Sequence, residues 1–258
     1  MMGEAATSPS VEDLIAYTLR HADDCLVLSH RLAEWSSRAP DLEEDIALTN
    51  IGLDLLGQAR LLYTYAGELD GHKTEDDYAY LRNERQYTNL LLVEQPNGDF
   101  ARTIVRQLMF STYQQHLWAQ LQTASDPTLA AIAAKAAKET AYHLRHARTW
   151  VQRLGNGTSE SHARMQSAID ALWRFSDEMF KADELDRRLA ETGLAVDANG
   201  LAQSWHASIE ADLNQAALAV PEDLHQTDGG RFGRHTNHLG LMLAEMQVLH
   251  RAHPGARW

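Results

Sequence analysis

The strongest constraint on this chain is the grouping of its amphipathic stretches: four long helical segments that fall into two pairs, with an irregular stretch between the pairs. Ser10-Val11-Glu12-Asp13 reads as a capping box opening a helix to about Trp35, with Leu14, Tyr17, Cys25, Leu28 and Leu32 near helical spacing. After a break at Arg38-Ala39-Pro40-Asp41, a second helix from about Leu42 to Glu68 carries Ile51, Leu55, Ala59, Leu62 and Ala66 on one face. A third runs from Phe100 to about Ala124. Ser125-Asp126-Pro127 then caps a fourth, which reaches Leu154 before Gly155-Asn156-Gly157 stops it. Residues 70–98 are the least regular part, with a short helix predicted over Glu75–Arg85 and a turn at Pro96-Asn97-Gly98. Beyond the fourth helix the pattern predicts three more, over about Glu160–Glu191, Asn199–Leu218 and Leu239–Arg251. No strand-like alternation and no internal repeat is present.

Two helical hairpins joined by one long connection form the ferritin-like topology. The expected fold class is therefore all-α: a ferritin-like four-helix bundle over about residues 11–154, with additional C-terminal helices over about 159–252. A single domain spanning 1–258 is expected, since 258 residues suffice for one large core.

Composition removes several function classes. A formal net charge of −13 supplies no broad basic surface for phosphate contacts, so nucleic acid is not an expected partner. No run of about 18 apolar residues occurs, so no membrane span is expected. Met1–Ser10 has neither a basic segment nor an apolar stretch, and Cys25 stands alone, a pattern that fits a reducing cytoplasm. Gly-rich phosphate loops and the His-Glu-x-x-His zinc pattern are missing from the chain. Cys25 lies inside an amphipathic helix and reads as a core thiol. His235-x-x-His238, beside Gly229-Gly230, reads as loop and helix start rather than as a metal site.

The bundle pattern itself raises the metal question. A di-iron bundle of this topology takes a Glu from each of two helices and a Glu-x-x-His pair from each of the other two. On the fourth helix, Lys138-Glu139-Thr140-Ala141-Tyr142-His143 places Tyr142 three residues after Glu139, and His143 at i+4. The second helix offers Asp54 with Gly57 in the His slot, within a polar line Asn50, Asp54, Gln58. On the third helix the middle positions read Phe110-Ser111-Thr112-Tyr113-Gln114-Gln115-His116, and no carboxylate lies between Asp99 and Asp126. Asp23, Asp24 and Glu34 on the first helix read as solvated or ion-paired. Asp54, Ser111, Glu139, Tyr142 and His143 are thus degenerate metal-site positions, with no metal ligand and no catalytic residue assigned. Glu139 and His143 sit on the edge of the buried stripe, where a hydrogen-bonded cluster is the simpler reading, with Lys135 and Arg60 as candidate counter-charges. The alternatives are a solitary ferritin-like metal-binding oxidase using Asp54, Glu139 and His143, or an iron-handling protein. Iron measured in the purified chain separates them from a metal-free bundle.

Several stretches resemble a known family: Asp45–Arg60, Asn89–Phe100, Tyr142-His143-Leu144-Arg145 and the tail Leu243-Ala244-Glu245-Met246-Gln247. They are similar to the structural subunits of phenylacetyl-CoA epoxidase, the C components of a bacterial multicomponent monooxygenase, and the Leu-Leu-Val-Glu-Gln-Pro-Asn-Gly block is the most specific part. The likeness runs from about Asp23 to Trp258. It implies a chain without a working metal site, hence no cofactor of its own. Such a chain packs as a scaffold against a homologous catalytic subunit, the A component, which holds the di-iron centre. A small B component and an iron–sulfur flavin reductase complete such a complex, which uses O₂ and NADPH to form a ring 1,2-epoxide of phenylacetyl-CoA. Association of the isolated chain into a homodimer is left open, and no di-iron ligand set carries over to the positions named above.

Overall fold

The computed structural model describes residues 10–222 and 225–256. The reading of the extreme N-terminus, apart from Ser10, lies outside the described residues, as does the end of the resemblance at Trp258. Among the described residues there are nine α-helices and no strand: α1 Val11–Ala33, α2 Leu42–Asp70, α3 Glu75–Tyr80, α4 Phe100–Leu121, α5 Pro127–Gly155, α6 Ser159–Leu172, α7 Glu184–Ala190, α8 Ala198–Gln215 and α9 Asn237–Ala252. The chain is all-α with ferritin-like topology.

Local chemistry sets the helix ends. Ser10 and Asp13 exchange both bonds of a capping box at the start of α1. Asp41, Asp99 and Asp126 cap α2, α4 and α5 with their carboxylates, and Gly71 closes α2 at φ 76°, a left-handed conformation that glycine adopts without strain. The α1–α2 and α4–α5 hairpins then meet, α1 facing α4 and α2 facing α5. The apolar stripe read from the sequence on α2, Ile51, Leu55, Ala59, Leu62 and Ala66, is buried together with Leu48, and it faces buried Leu129, Ala133, Leu144 and Val151 of α5. Each fully buried Leu or Ile contributes about 1.5–3 kcal/mol relative to exposure. α6 and α8 pack on the α4–α5 hairpin, α7 on α1, and α9 on α3.

The second part of the connection between the hairpins does not run over the surface. Tyr87, Asn89, Leu90, Leu91, Leu92, Val93 and Glu94 are buried without regular helix or strand, so each peptide group needs a partner. Buried charged side chains supply many of them. Asp23 accepts from Thr88 N at 2.8 Å and Tyr63 OH at 2.6 Å, and pairs with Arg82. Asp24 accepts from Leu90 N at 2.7 Å and pairs with Arg231 at 2.8 Å. Glu178 accepts from the N–H groups of Leu91, Gly229 and Gly230 at 2.7, 2.8 and 2.7 Å. Gly230 lies so close that a Cβ there would sit 2.1 Å from the Asn89 carbonyl oxygen. Further along the connection, Arg31 donates to the Glu94 carbonyl at 3.1 and 2.8 Å, and Arg106 to the Gln95 carbonyl.

Two sequence expectations change, and the ion-paired reading of the first-helix carboxylates holds. The helix expected over Glu160–Glu191 ends at Leu172, passes through 3-10 turns at Trp173–Phe175 and Asp177–Phe180, and restarts as α7. The break aims Glu178 at the buried connection, and Asp183 opens α7 with its own capping box with Asp186. The short helix expected over Glu75–Arg85 stops at Tyr80, with a 3-10 turn at Glu84–Gln86. Of the first-helix carboxylates, Asp23 and Asp24 are ion-paired and buried, while Glu34 pairs with Arg31 at 2.6 Å.

Removing Asp23 strands the Arg82 guanidinium, whose side chain is only 12% exposed. Asp23→Ala is expected to cost about 3–5 kcal/mol in urea unfolding. A cost within about 1 kcal/mol, the value of a surface pair, would contradict this role.

Candidate functional site

At the bundle centre each of the four helices contributes one polar side chain to a single hydrogen-bonded chain. Cys25 of α1 contacts Gln58 Oε1 of α2 through its thiol at 3.5 Å. Gln114 of α4 donates from Nε2 to Cys25 Sγ at 3.3 Å and to Gln58 Oε1 at 3.2 Å. Gln58 passes the chain on, donating from Nε2 to Glu139 Oε2 of α5 at 3.0 Å. Lys135 Nζ stands 3.7 Å from the other Glu139 oxygen, one turn away on α5. Burial pushes the Cys25 thiol well above its usual range, so it stays protonated and able to donate.

One turn along the same α2–α5 seam, His143 Nε2 meets Asp54 Oδ2 at 3.0 Å, His143 buried and Asp54 half-buried. Burial lowers the His143 pKa, against the opposing pull of the Asp54 hydrogen bond and charge. Further along, His146 Nε2 meets Glu44 Oε2 at 2.8 Å. Tyr142 turns outward, 40% exposed, with the Arg145 guanidinium 5.4 Å from its ring centre. Ser111 is buried on α4, but the α4 contribution to the chain is Gln114, one turn on. Arg60 does not approach the centre; it forms an exposed pair with Glu75 at 2.8 Å.

Asp54, Glu139 and His143 are therefore brought to one seam, whereas Tyr142 and Arg60 face away from it. Cys25 and Gln114 are the members that the sequence reading missed. The available signal on α4 was the polar line Gln107, Ser111, Gln114 at i, i+4, i+7, all buried. For Cys25 no comparable signal exists, since a thiol in a helix core looks like packing.

This donor set does not fit a di-iron centre. Such a centre uses about four carboxylates and two imidazoles, and here the central four positions hold one carboxylate, two amides and a protonated thiol. Among the described residues no group of three or more His, Cys, Asp or Glu is placed to hold a metal ion. Both nitrogens of His235 are engaged, by Glu94 at 2.8 Å and the Tyr87 carbonyl at 2.9 Å; desolvation, the largest single effect, lowers its pKa, but these partners together outweigh it and raise the pKa. What the central chain can do is hold four helices in register.

The structure thus defines a ferritin-like bundle whose centre is a neutral hydrogen-bond chain with a single carboxylate at its end. The chain belongs to the phenylacetic acid catabolic protein family, whose family model matches residues 2–258. It is 55% identical over 248 residues, 96% of this chain and all of the relative, to a protein of Escherichia coli (strain K12) named as the C component among the subunits of 1,2-phenylacetyl-CoA epoxidase. A solved structure, protein 19 with aldehyde deformylating oxidase activity from Synechococcus, superimposes with a TM-score of 0.60. That match covers 84% of this chain and 93% of the other at 16% identity, a likeness of fold alone. No helix among the described residues is long and apolar enough to cross a membrane.

The folded pKa of His143 lies below the value of about 6.5 that the unfolded chain has, so the unfolded state binds more protons between the two. The His143 contribution is complete above about pH 6.5 and is lost as the pH falls through that interval. Thermal melts of a His143→Gln chain are expected to show a shallower loss of stability on acidification below about pH 6.5 than the parent. Identical slopes would contradict a neutral, buried His143.

Proposed function

We propose that this chain is the non-catalytic structural subunit of a phenylacetyl-CoA 1,2-epoxidase, stabilising a homologous di-iron catalytic subunit. The observation that carries this reading is the bundle centre, where Cys25, Gln58, Gln114 and Glu139 replace a metal donor set with hydrogen bonds while the four-helix scaffold remains. Full-length similarity to a relative named as the epoxidase C component supports the same assignment. Iron, O₂ chemistry and the NADPH-linked electron supply then belong to partner subunits: the catalytic chain, a small component and a reductase. The contribution of this chain is geometric. Packing against a catalytic bundle limits how far that bundle's ligand-bearing helices can move, and sub-ångström placement of ligands governs reactivity. A reducing cytoplasmic setting agrees with the single, buried Cys25.

The test is reconstitution. This chain alone is expected to form no epoxide from phenylacetyl-CoA with reductase, NADPH and O₂, and the catalytic subunit to lose activity without it. Complexes containing Glu139→Gln or His143→Ala are expected to turn over, per assembled complex, within about twofold of the parent, as for positions outside the chemistry. A His143→Ala complex that assembles fully and yet loses turnover would place chemistry in this chain and overturn the reading.

A further inference from the structure

α2 carries two apolar seams. The inner one, Leu48, Ile51, Leu55, Ala59 and Leu62, is buried in the bundle. The outer one, Leu42, Ile46, Thr49, Leu53 and Leu56, repeats at spacings of 4, 3, 4 and 3 residues, the periodicity of a seam that receives another helix. Leu42, Ile46 and Leu53 are 71, 53 and 59% exposed, and the exposed Thr49 completes the line. Beside it runs a groove of about 230 Å³ between α1 and α2, with the small residues Ser29, Ala33 and Gly52 on its lining. Small residues at a helix seam admit the side-chain knobs of a neighbouring helix at close approach. A contiguous apolar stripe of this kind on an otherwise charged chain marks an interaction surface.

Charge selects the occupant. From Leu42 to Gln58 the helix holds no Lys or Arg, and the acidic residues that flank the outer seam are Glu43 and Asp45, since Glu44 and Asp54 pair with His146 and His143 on the inner side. Two copies of this face would set one acidic rim against another, on chains that already carry a net charge of −13. We propose that the outer face of the α1–α2 hairpin, centred on Leu53, docks a helix of a second, non-identical subunit whose apolar stripe is flanked by lysine and arginine. This rests on the subunit role argued above and names the surface through which that role is exercised.

The experiment uses this chain and the homologous catalytic subunit proposed above, with affinity read by calorimetry and self-association by sedimentation. Leu53→Arg and Ile46→Arg alter exposed side chains, so their thermal midpoints are expected to match the parent. Each is expected to weaken the heteromeric complex at least about tenfold, the size typical of a central interface position. Leu241→Arg, at a 71% exposed position on α9, is the control and leaves affinity unchanged. Parent-like binding by Leu53→Arg overturns the surface while leaving the subunit role intact. Loss of self-association with intact heteromeric binding assigns the face to a second copy and equally overturns the proposal. Failure of the parent chain itself to bind any epoxidase subunit overturns the subunit role and the surface together.

Discussion

Asp23 and Asp24, adjacent on α1, hold the rest of the structure in place. α1 must serve two sides at once: one faces α2 and α4 in the bundle, the other covers a connection that is buried without regular structure. Peptide groups in such a segment are costly unless paired. Asp23 and Asp24 satisfy Thr88 and Leu90 and draw in Arg82 and Arg231, which arrive from outside the bundle. Burial raises the Asp24 pKa to about 6, opposed chiefly by Arg231, so the carboxylate depends on its partner to remain charged. With Glu178 on the opposite side of the connection, these carboxylates tie the C-terminal region to the four-helix core.

The bundle centre follows a different logic. Charge there is kept low: two amides and a protonated thiol lie inside, and the one carboxylate of the chain, Glu139, is half-buried and close to Lys135. An amide both donates and accepts, so Gln58 and Gln114 link three or four groups with no net charge to desolvate. Leaving one member unpaired costs about 1–3 kcal/mol, which gives the four helices a preferred register without a metal. The four-helix scaffold that positions metal ligands in di-iron proteins is here fastened by hydrogen bonds.

Much of this was legible in the sequence, and the unread parts have a common cause. Helical periodicity and capping residues located all four bundle helices, because those signals are local. The i, i+4 spacing placed Glu139 and His143 side by side, and the polar line on α2 brought Asp54 and Gln58 to the same seam. Pairings between distant positions were not legible: Asp24 meets Arg231 across 207 residues, and Cys25 meets Gln114 across 89. Arg60 was read as a candidate counter-charge for the site, yet its rotation on α2 sends it outward to Glu75. The helix break after Leu172 was equally hidden, since its cause is a tertiary demand on Glu178 and not a local breaker.

The most direct test of a hydrogen-bonded, metal-free centre is iron uptake by the isolated chain. The purified protein is incubated anaerobically with excess ferrous iron, desalted, and analysed for iron by mass spectrometry. The account predicts only trace iron, well below one atom per chain and unchanged in a Glu139→Ala variant. Retention of a pair of irons per chain, abolished by Glu139→Ala, would contradict it.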